Sequence, residues 1–546
     1  MTPSTDATAG PAPSDAELTL GRVMLAFDGF DLPQDVAARL RGAPAAGVTL
    51  FRFSNVRTPE QVRALTAAIQ TAADRGGSRP LLVAADQEGG QLIGLGDGTT
   101  PFAGNMAIGA TGDPDLAERI ARAVGTELRA MGVNVDYAPV CDLATNPRNP
   151  AIGIRSFGDE PGRVAPLVAA FVHGLQSAGV AAGLKHFPGI GDVADDTHHG
   201  LARLDADRAR LDAAELVPFR AGIAAGARVV MSAHLAVPAL TGREDLPSTL
   251  APEVMSDLLR DELGFDGVSI TDALDMRALA QGPDQVLDVL AAVRAGVDLL
   301  LTAPDPVARE RIEAGLRHAA SRGLLDVPTG RVALRRVRDL QAWLGGFEDA
   351  AIGVVGSAEH RVLAAELAAR SITLVRDDDR RIPLRLKPHT RIAAVMPFPT
   401  DQTPADTSST VAPGLARALR RHQAAVDEFV VGHAPTDAEI ASVRAAVLAH
   451  DLVIVGTTAA LLEPRQAALV ETLLGTAAGG VVTVALRTPF DLAAYPASRT
   501  HLSTYGILEP SLDALADVLF GLAPAVGRLP AAVPGLHPTG HGVDRR

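Results

Sequence analysis

Eight short, strand-like apolar segments recur along the first part of the chain, and each is followed by a stretch of helical composition. The eight segments are Val23–Phe27, Val48–Phe53, Leu81–Ala85, Val133–Val140, Ala182–His186, Arg228–His234, Gly267–Asp272 and Val297–Thr302. Near-continuous apolar strands separated by helices are typical of a parallel sheet covered on both faces, and eight such units match a (β/α)8 barrel. We therefore predict an α/β fold that begins with a TIM-like barrel.

A second, smaller domain follows a helical segment, Thr329–Leu344, that opens on a plausible capping residue and ends at a pair of glycines. Beyond it, three further apolar segments alternate with helical ones: Arg391–Phe398, Asp451–Gly456 and Val481–Leu486. This alternation predicts a three-layer α/β sandwich. The expected organisation is a disordered tail at 1–16, a barrel domain at 17–345 and the sandwich at 346–546.

Composition excludes several classes of function. The 546-residue chain carries a net charge of −14 with a pI near 5.5, so it would repel a phosphate backbone, and we expect no nucleic-acid partner. No apolar run is long enough to span a bilayer, and the amino-terminal residues lack a signal-peptide core. We expect a cytoplasmic protein without a membrane partner. The single cysteine, Cys141, excludes an internal disulfide and a thiolate metal cluster.

Lysine is nearly absent, and this makes Lys185 informative. Among 50 Lys and Arg residues only Lys185 and Lys387 are lysine. A lysine offers a compact ammonium where arginine offers a wide planar fork, so its retention at 185 indicates a site shaped around a small cation. The residue follows an apolar run and opens a segment dense in ionisable groups, from Lys185-His186 to Asp196-Thr197-His198.

Polar residues stand where several predicted barrel strands end: Asp86, Lys185 with His186, His234 and Asp272. The carboxyl ends of barrel strands meet at one mouth, so these residues are expected to share one pocket. A carboxylate at Asp272 can act as a nucleophile on an anomeric carbon, although it could instead cap a following helix. Asp86 precedes two glycines and could accept hydrogen bonds from sugar hydroxyls, or merely satisfy a turn.

The Asp196-x-His198 triplet has a chemical logic of its own. A histidine held by a carboxylate through one ring nitrogen keeps a fixed tautomer, and its other nitrogen can exchange a proton near neutral pH. Two residues of separation on a loop allow that contact, but the same triplet also occurs by chance.

Together these motifs resemble glycoside hydrolase family 3, and specifically its β-N-acetylglucosaminidase branch. The matching elements are Lys185–Gly189 with Asp196–His198, Asp86–Gly90, Asn149–Phe157, Met231–His234 and Thr271–Met276. The resemblance implies Asp272 as nucleophile and His198 as acid/base oriented by Asp196. It also implies that Asp86, Arg155, Lys185, His186 and His234 bind the sugar, with no metal and no cofactor. The implied substrate is a small glycan ending in β-linked N-acetylglucosamine, cleaved with retention of configuration.

Three alternatives stay open. A histidine acid/base does not repel an anion as a carboxylate would, so inorganic phosphate could replace water as the acceptor, and the same scaffold could serve a phosphorylase or a dual β-glucosidase. A metal-dependent barrel hydrolase could use His186, His198, His234 and Asp272, but such enzymes often begin with a His-x-His pair that Val23–Asp28 lacks. A non-catalytic sugar-binding protein would be expected to lack the nucleophile or the acid/base.

Overall fold

The protein, described by a computed structural model over residues 13–73, 79–194, 200–477 and 479–544, begins with a parallel barrel. Its strands β1 to β8 are Val23–Leu25, Gly47–Thr49, Leu82–Ala85, Val135–Asp136, Ala181–Phe187, Val229–Ser232, Val268–Thr271 and Leu300–Leu301. Each pairs in parallel with its neighbour along the chain, and β8 pairs with β1. A single bridge, Ile270 to Leu299, joins β7 to β8 and closes the circle.

Helices surround the barrel because apolar residues on the outer faces of its strands need cover. The helices of this part are Asp15–Thr19, Gln34–Gly42, Arg52–Asn55, Pro59–Ala73, Asn105–Thr111, Pro114–Ala130, Pro161–Ser177, Arg208–Ala213, Leu216–Ala224, Pro238–Thr241, the π-helix Glu253–Glu262, Gln285–Arg294, Pro306–Ser321 and Val327–Leu344. The last of these packs Val337, Leu340 and Leu344 against the inner barrel core. It thereby covers the end of the barrel opposite the carboxyl ends of the strands.

A six-stranded mixed sheet forms the second domain. Its strands β9 to β14 are Thr373–Asp377, Ile392–Pro397, Val426–Val431, Leu452–Thr457, Val481–Ala485 and Thr500–Ser503, in the spatial order β9-β14-β13-β12-β10-β11. Only the β9–β14 pair is antiparallel among them. Separate apolar cores on the two faces receive the helices Ala358–Ser371, Leu415–Arg420, Asp437–Val447, Pro464–Thr476 and Glu509–Leu519. The layers are therefore helix, sheet and helix.

A carboxyl-terminal strap, which we define as residues 527–544, runs from the second sheet onto the barrel domain. On the sheet side, Val543 N donates to Leu374 O over 2.8 Å. On the barrel side, the carboxylate of Asp159 accepts 2.8 Å hydrogen bonds from Ala532 N and from the hydroxyl of Thr539. The strap thus fastens the two domains by backbone and side-chain hydrogen bonds.

The predicted fold class is confirmed, with differences of detail. Most strands are shorter than the sequence suggests; the segment predicted as Val133–Val140 is a strand only at Val135–Asp136. The helix predicted from Thr329 begins at Val327, and its cap is Asp326, whose side chain accepts from Thr329 N. Most of the predicted tail lies outside the described residues, and Ser14 already caps the helix Asp15–Thr19. The domain limits themselves stay a prediction.

No helix within the described ranges combines the length and the apolar content that crossing a membrane requires.

Candidate active site

The polar residues that follow the barrel strands do meet at the carboxyl end of the barrel. Asp86 follows β3, Lys185 and His186 lie near the end of β5, and Asp272 follows β7. Directly after Asp86 comes a small antiparallel hairpin made of the strands Gln87–Gly89 and Leu92–Ile93, which we call the active-site hairpin.

Lys185 lies at the centre of a buried ion cluster. Its ammonium is 2.5 Å from Oδ1 of Asp86 and 2.5 Å from Oε1 of Glu88. The guanidinium of Arg155 binds Glu88 through two parallel hydrogen bonds of 2.8 Å each. The side chains of Lys185, Glu88 and Arg155 are 1%, 1% and 3% exposed, whereas that of Asp86 is 24% exposed. Asp86 is therefore the member of this ion cluster most open to a ligand.

The ion cluster favours the charged forms of Glu88 and Lys185. Burial alone would raise the pKa of Glu88, but Arg155 and Lys185 outweigh it and lower that pKa to about 2. Burial likewise acts to lower the pKa of Lys185, and Asp86 and Glu88 reverse this and raise it. Since an ammonium has three N–H donors, two of which are committed to these carboxylates, its main role here is to hold Asp86 and Glu88 together.

His186 is held by Asp142, a residue on the loop after β4. Nδ1 of His186 lies 2.7 Å from the Asp142 carboxylate, which also accepts from the backbone N of His186 and, over 2.8 Å, from Ile190 N. The other ring nitrogen is 3.4 Å from Nη2 of Arg155. Asp142 thereby orients His186 and anchors the start of the segment that leads towards residue 198.

Asp272 is half-buried at the end of β7. Its backbone N donates to Ser232 O over 3.1 Å, and its Oδ1 accepts from Ala273 N over 2.7 Å. The alternative that Asp272 caps a helix is wrong, because the next helical turn begins only at Gly282. The main chain of Asp272 is thus tied to β6, and its carboxylate accepts a backbone hydrogen bond at the mouth of the barrel.

His234, for which the sequence predicts sugar binding, has protein partners on both ring nitrogens. Nδ1 is 2.8 Å from the Thr249 hydroxyl, and Nε2 is 3.2 Å from Ala273 O. The ring is fully buried, and this burial lowers its pKa despite the opposing charge of Asp272. A neutral His234 that donates through Nε2 to Ala273 O would steady the backbone next to Asp272, which favours a positioning role.

Asp136, at the end of β4, is a buried acid that the sequence reading does not single out. Its Oδ1 accepts from Gln87 N over 2.9 Å, at the base of the active-site hairpin, while Oδ2 has no hydrogen-bond partner among the described residues. Burial raises the pKa of Asp136 well above its ordinary value, and the charges of Asp86 and Glu88 add to this against the ammonium of Lys185. The surroundings of Asp136 therefore favour its protonated, neutral form.

Asp136→Asn is expected to stabilise the protein at neutral pH. A carboxyl whose pKa is raised on folding contributes stability below its unfolded pKa, near 4, and loses it as pH rises towards the folded pKa, whereas asparagine has no such dependence. The advantage of the variant should grow by up to about 1.4 kcal/mol per pH unit above pH 4. Free energies of unfolding of both proteins between pH 4 and 8 measure this. A difference that stays constant with pH would contradict a raised pKa of Asp136 in the folded protein.

Of the predicted site residues, the structure brings together Asp86, Arg155, Lys185 and His186, with Asp272 and His234 on neighbouring strands β7 and β6. Asp196 and His198 lie outside the described residues. No group of three or more His, Cys, Asp or Glu in the described ranges is arranged to hold a metal ion. His186 and His234, which the metal alternative would need as ligands, already use their ring nitrogens within the protein.

Three acids of this region were missed as site residues: Glu88, Asp136 and Asp142. Glu88 lies within the motif Asp86–Gly90, but its burial and its pairing with two cations cannot be read from a motif. Asp136 and Asp142 were obscured because the sequence predicts one strand through 133–140. A strand that ends at Asp136, as the structure has it, would have placed both acids at the barrel mouth.

The comparisons with known proteins identify the family of the chain. Residues 22–340 match the model of the glycosyl hydrolase family 3 N-terminal domain. The chain belongs to glycoside hydrolase family 3. As a family 3 member it is a glycosidase, and its barrel is the part that carries the family match.

Similar family 3 proteins extend the comparison over both domains. Beta-hexosaminidase A of Pseudoalteromonas piscicida is 31% identical, over 92% of this chain and 91% of its own length. The beta-hexosaminidase of Stenotrophomonas maltophilia strain K279a is 38% identical, over 61% of this chain and 96% of its own length. The solved structure of a family 3 β-N-acetylglucosaminidase from Paenibacillus sp. str. FPU-7 superposes with a TM-score of 0.90 at 34% identity, covering 96% of this chain and 99% of that one. The predicted resemblance is thereby confirmed.

Proposed function

We propose that this family 3 enzyme is a retaining, exo-acting β-N-acetylglucosaminidase that works by double displacement. The observation that carries the proposal is the Asp272 carboxylate, fixed at the end of β7, at the same barrel mouth as the Asp86–Lys185–Glu88–Arg155 ion cluster. Similar proteins named β-hexosaminidase or β-N-acetylglucosaminidase support an N-acetylated sugar.

In the first step, an oxygen of Asp272 attacks the anomeric carbon from the face opposite the leaving group. The bond from that carbon to the glycosidic oxygen breaks, and the departing oxygen takes a proton from His198. In the second step, His198 takes a proton from water, the water oxygen attacks the anomeric carbon, and Asp272 leaves as the carboxylate. Two inversions give net retention.

The ion cluster supports binding of a terminal sugar. Asp86 is exposed enough to accept hydrogen bonds from hydroxyls, and its position is fixed by Lys185. Because Lys185 and Arg155 are almost wholly buried, a sugar that contacts this cluster must enter the barrel mouth by its free end. This favours release of single terminal residues.

We propose water rather than phosphate as the acceptor. Asp86, Glu88 and Asp142 bring three negative charges to the cluster, against the two positive charges of Lys185 and Arg155. An anionic acceptor would meet no excess of cations there. Rates of chromogenic N-acetylglucosaminide and glucoside cleavage, with and without phosphate, and a search for glycosyl phosphate in the products test this.

The proposal as a whole is tested by stereochemistry and by trapping. The first-formed sugar should be the β-anomer by NMR, and a slow 5-fluoro N-acetylglucosaminyl fluoride should label Asp272, located by mass spectrometry of the digested protein. An α-anomer, or label on another residue, would remove Asp272 from the nucleophile's role.

Asp196→Ala and His198→Ala are each expected to slow cleavage by about 10²–10⁴-fold, the usual contribution of general acid–base catalysis. Substrates whose leaving groups need no protonation should hide part of the defect in the first step. The measurement is kcat/KM for a phenyl and a dinitrophenyl glycoside, with melting temperatures to exclude unfolding. Unchanged rates in both variants would show that the pair has no role in proton transfer.

A further inference from the structure

The tip of the active-site hairpin is held by the second sheet domain. The backbone O of Gln91 accepts hydrogen bonds from Thr407 N over 2.7 Å and from the Thr407 hydroxyl over 2.9 Å. Ile93 N donates to that same hydroxyl over 3.2 Å, and the amide nitrogen of Gln91 donates to Ala405 O over 3.3 Å. Gln91, a barrel residue, therefore takes most of its partners from the other domain.

Arg487, which follows β13, completes this contact. One end of its guanidinium binds the Asp406 carboxylate at 2.8 Å, and the other donates to the side-chain oxygen of Gln91. The side chains of Arg487 and Asp406 are 5% and 0% exposed. A buried, charge-assisted ion pair of this kind has a defined geometry, because the planar guanidinium can bind a carboxylate in only a few orientations.

The other end of the hairpin belongs to the ion cluster. Gln87 N is held by Asp136, and Glu88 binds both Lys185 and Arg155. Between the two ends, Gly90 has a φ of 62°, and a Cβ on it would lie 2.8 Å from Ala103 O. The hairpin is thus enclosed along its length, so that a shift at Gln91 would be transmitted to Glu88.

The cleft at this contact does not serve as a sugar site. It is lined by residues of both domains, including Gln91, Asn149, Gln402, Thr458 and Arg487, and its volume is only about 20 Å³. That space holds about one water molecule. The polar residues of the cleft therefore act on the hairpin and not on a ligand between the domains.

We propose that Arg487 and Asp406 are positioning residues for the glycosidase reaction. By fixing Gln91, the second sheet sets the position of Glu88, and through Glu88 the positions of Lys185 and Arg155. The inference rests on the proposed function in one respect, namely that the ion cluster receives the sugar.

The test compares Arg487→Gln with a matched control, Arg370→Gln. Arg370 also makes an ion pair between the domains, 2.7 Å from Asp113, but it does not contact the hairpin. Well below the melting temperature, Arg487→Gln should lower kcat/KM by about 10- to 10²-fold, since displacements of about 1 Å cost rates of this order. The inhibition constant of free N-acetylglucosamine should rise in parallel. The control, Arg370→Gln, should keep both kcat/KM and this inhibition constant at wild-type values.

Gln91→Ala provides a second route if Arg487→Gln does not fold. It removes the barrel side of the same contact, and it should reproduce the loss of N-acetylglucosamine affinity. The double variant should then lose little more than either single one, because both act through one contact. Arg487→Gln or Gln91→Ala with wild-type kcat/KM and inhibition constant would overturn the positioning role, even if melting temperatures fell. An inverted product from the wild-type enzyme would instead reject the proposed function.

Discussion

Asp272→Ala is expected to lower kcat/KM for an aryl β-N-acetylglucosaminide by about 10⁴-fold or more, the order of loss seen when a covalent nucleophile is removed. The carboxylate is half-buried, and its Oδ1 accepts a hydrogen bond from the backbone N of the adjacent residue, Ala273. Because Asp272 is only half-buried, the melting temperature is expected to change much less than the activity. Activity and stability are predicted to separate at this position.

Azide identifies the role of the missing group. In Asp272→Ala, azide can occupy the space of the carboxylate and attack the anomeric carbon from the same face, which gives an α-glycosyl azide. In His198→Ala, azide would attack the glycosyl-enzyme from the other face and give the β-azide. NMR of the products distinguishes the two. A β-azide from Asp272→Ala, or activity within tenfold of wild type, would contradict the assignment.

Lys185→Arg is expected to fail even though the chain uses arginine almost everywhere else. The ammonium fits between two carboxylate oxygens at 2.5 Å each and is 1% exposed. The longer, planar guanidinium would have to displace Asp86 or Glu88, and misplacement of about 1 Å costs on the order of 10²-fold in rate. Lys185→Met should do worse, since breaking a buried ion pair costs about 3–5 kcal/mol of stability.

Lys387→Arg is the matched control, because Lys387 is the other lysine and is exposed. The measurements are kcat/KM and the free energy of unfolding for the three variants. The dependence of the free energy of unfolding on acidic pH should also distinguish these variants. Glu88, with its pKa lowered to about 2, contributes stability above pH 4.5 that is lost as pH falls towards 2. Lys185→Met should flatten that loss. Equal, wild-type behaviour of Lys185→Arg and Lys387→Arg would show that the scarcity of lysine carries no functional information.

The barrel could be predicted because its signal is periodic and repeated. Each of eight apolar segments is weak alone, but their alternation with helices allows few folds. The location of the site at the mouth of the barrel could be predicted from Asp86, Lys185 and Asp272, which lie at or near the carboxyl ends of their strands. What could not be predicted was which polar groups bind each other. That depends on burial and on distances between residues far apart in sequence, such as Glu88 and Arg155, 67 positions apart.

The second sheet shows the same limit at a larger scale. Its strands are recognisable in the sequence as apolar segments. The contact between Arg487 and Gln91 cannot be predicted in the same way, because 396 positions separate the two residues. His234 illustrates the converse case. A histidine at a strand end is interpreted from sequence as a ligand-binding group, whereas the burial of His234 and its contacts with Thr249 and Ala273 favour a positioning role. Contacts across the fold, more than residue types, decide such roles.

The strap has a consequence for how the protein is made. The strap residues that hydrogen-bond to Asp159, Ala532 and Thr539, follow it in the sequence by 373 and 380 positions, respectively. At a synthesis rate of about 5–20 residues per second, Asp159 is synthesised roughly 20–80 s before its hydrogen-bond partners in the strap. The barrel has this time to fold by itself, and fastening to the strap can only come afterwards. A nascent chain stalled before residue 527 should therefore contain a folded barrel in which Asp159 has not yet formed its hydrogen bonds to the strap.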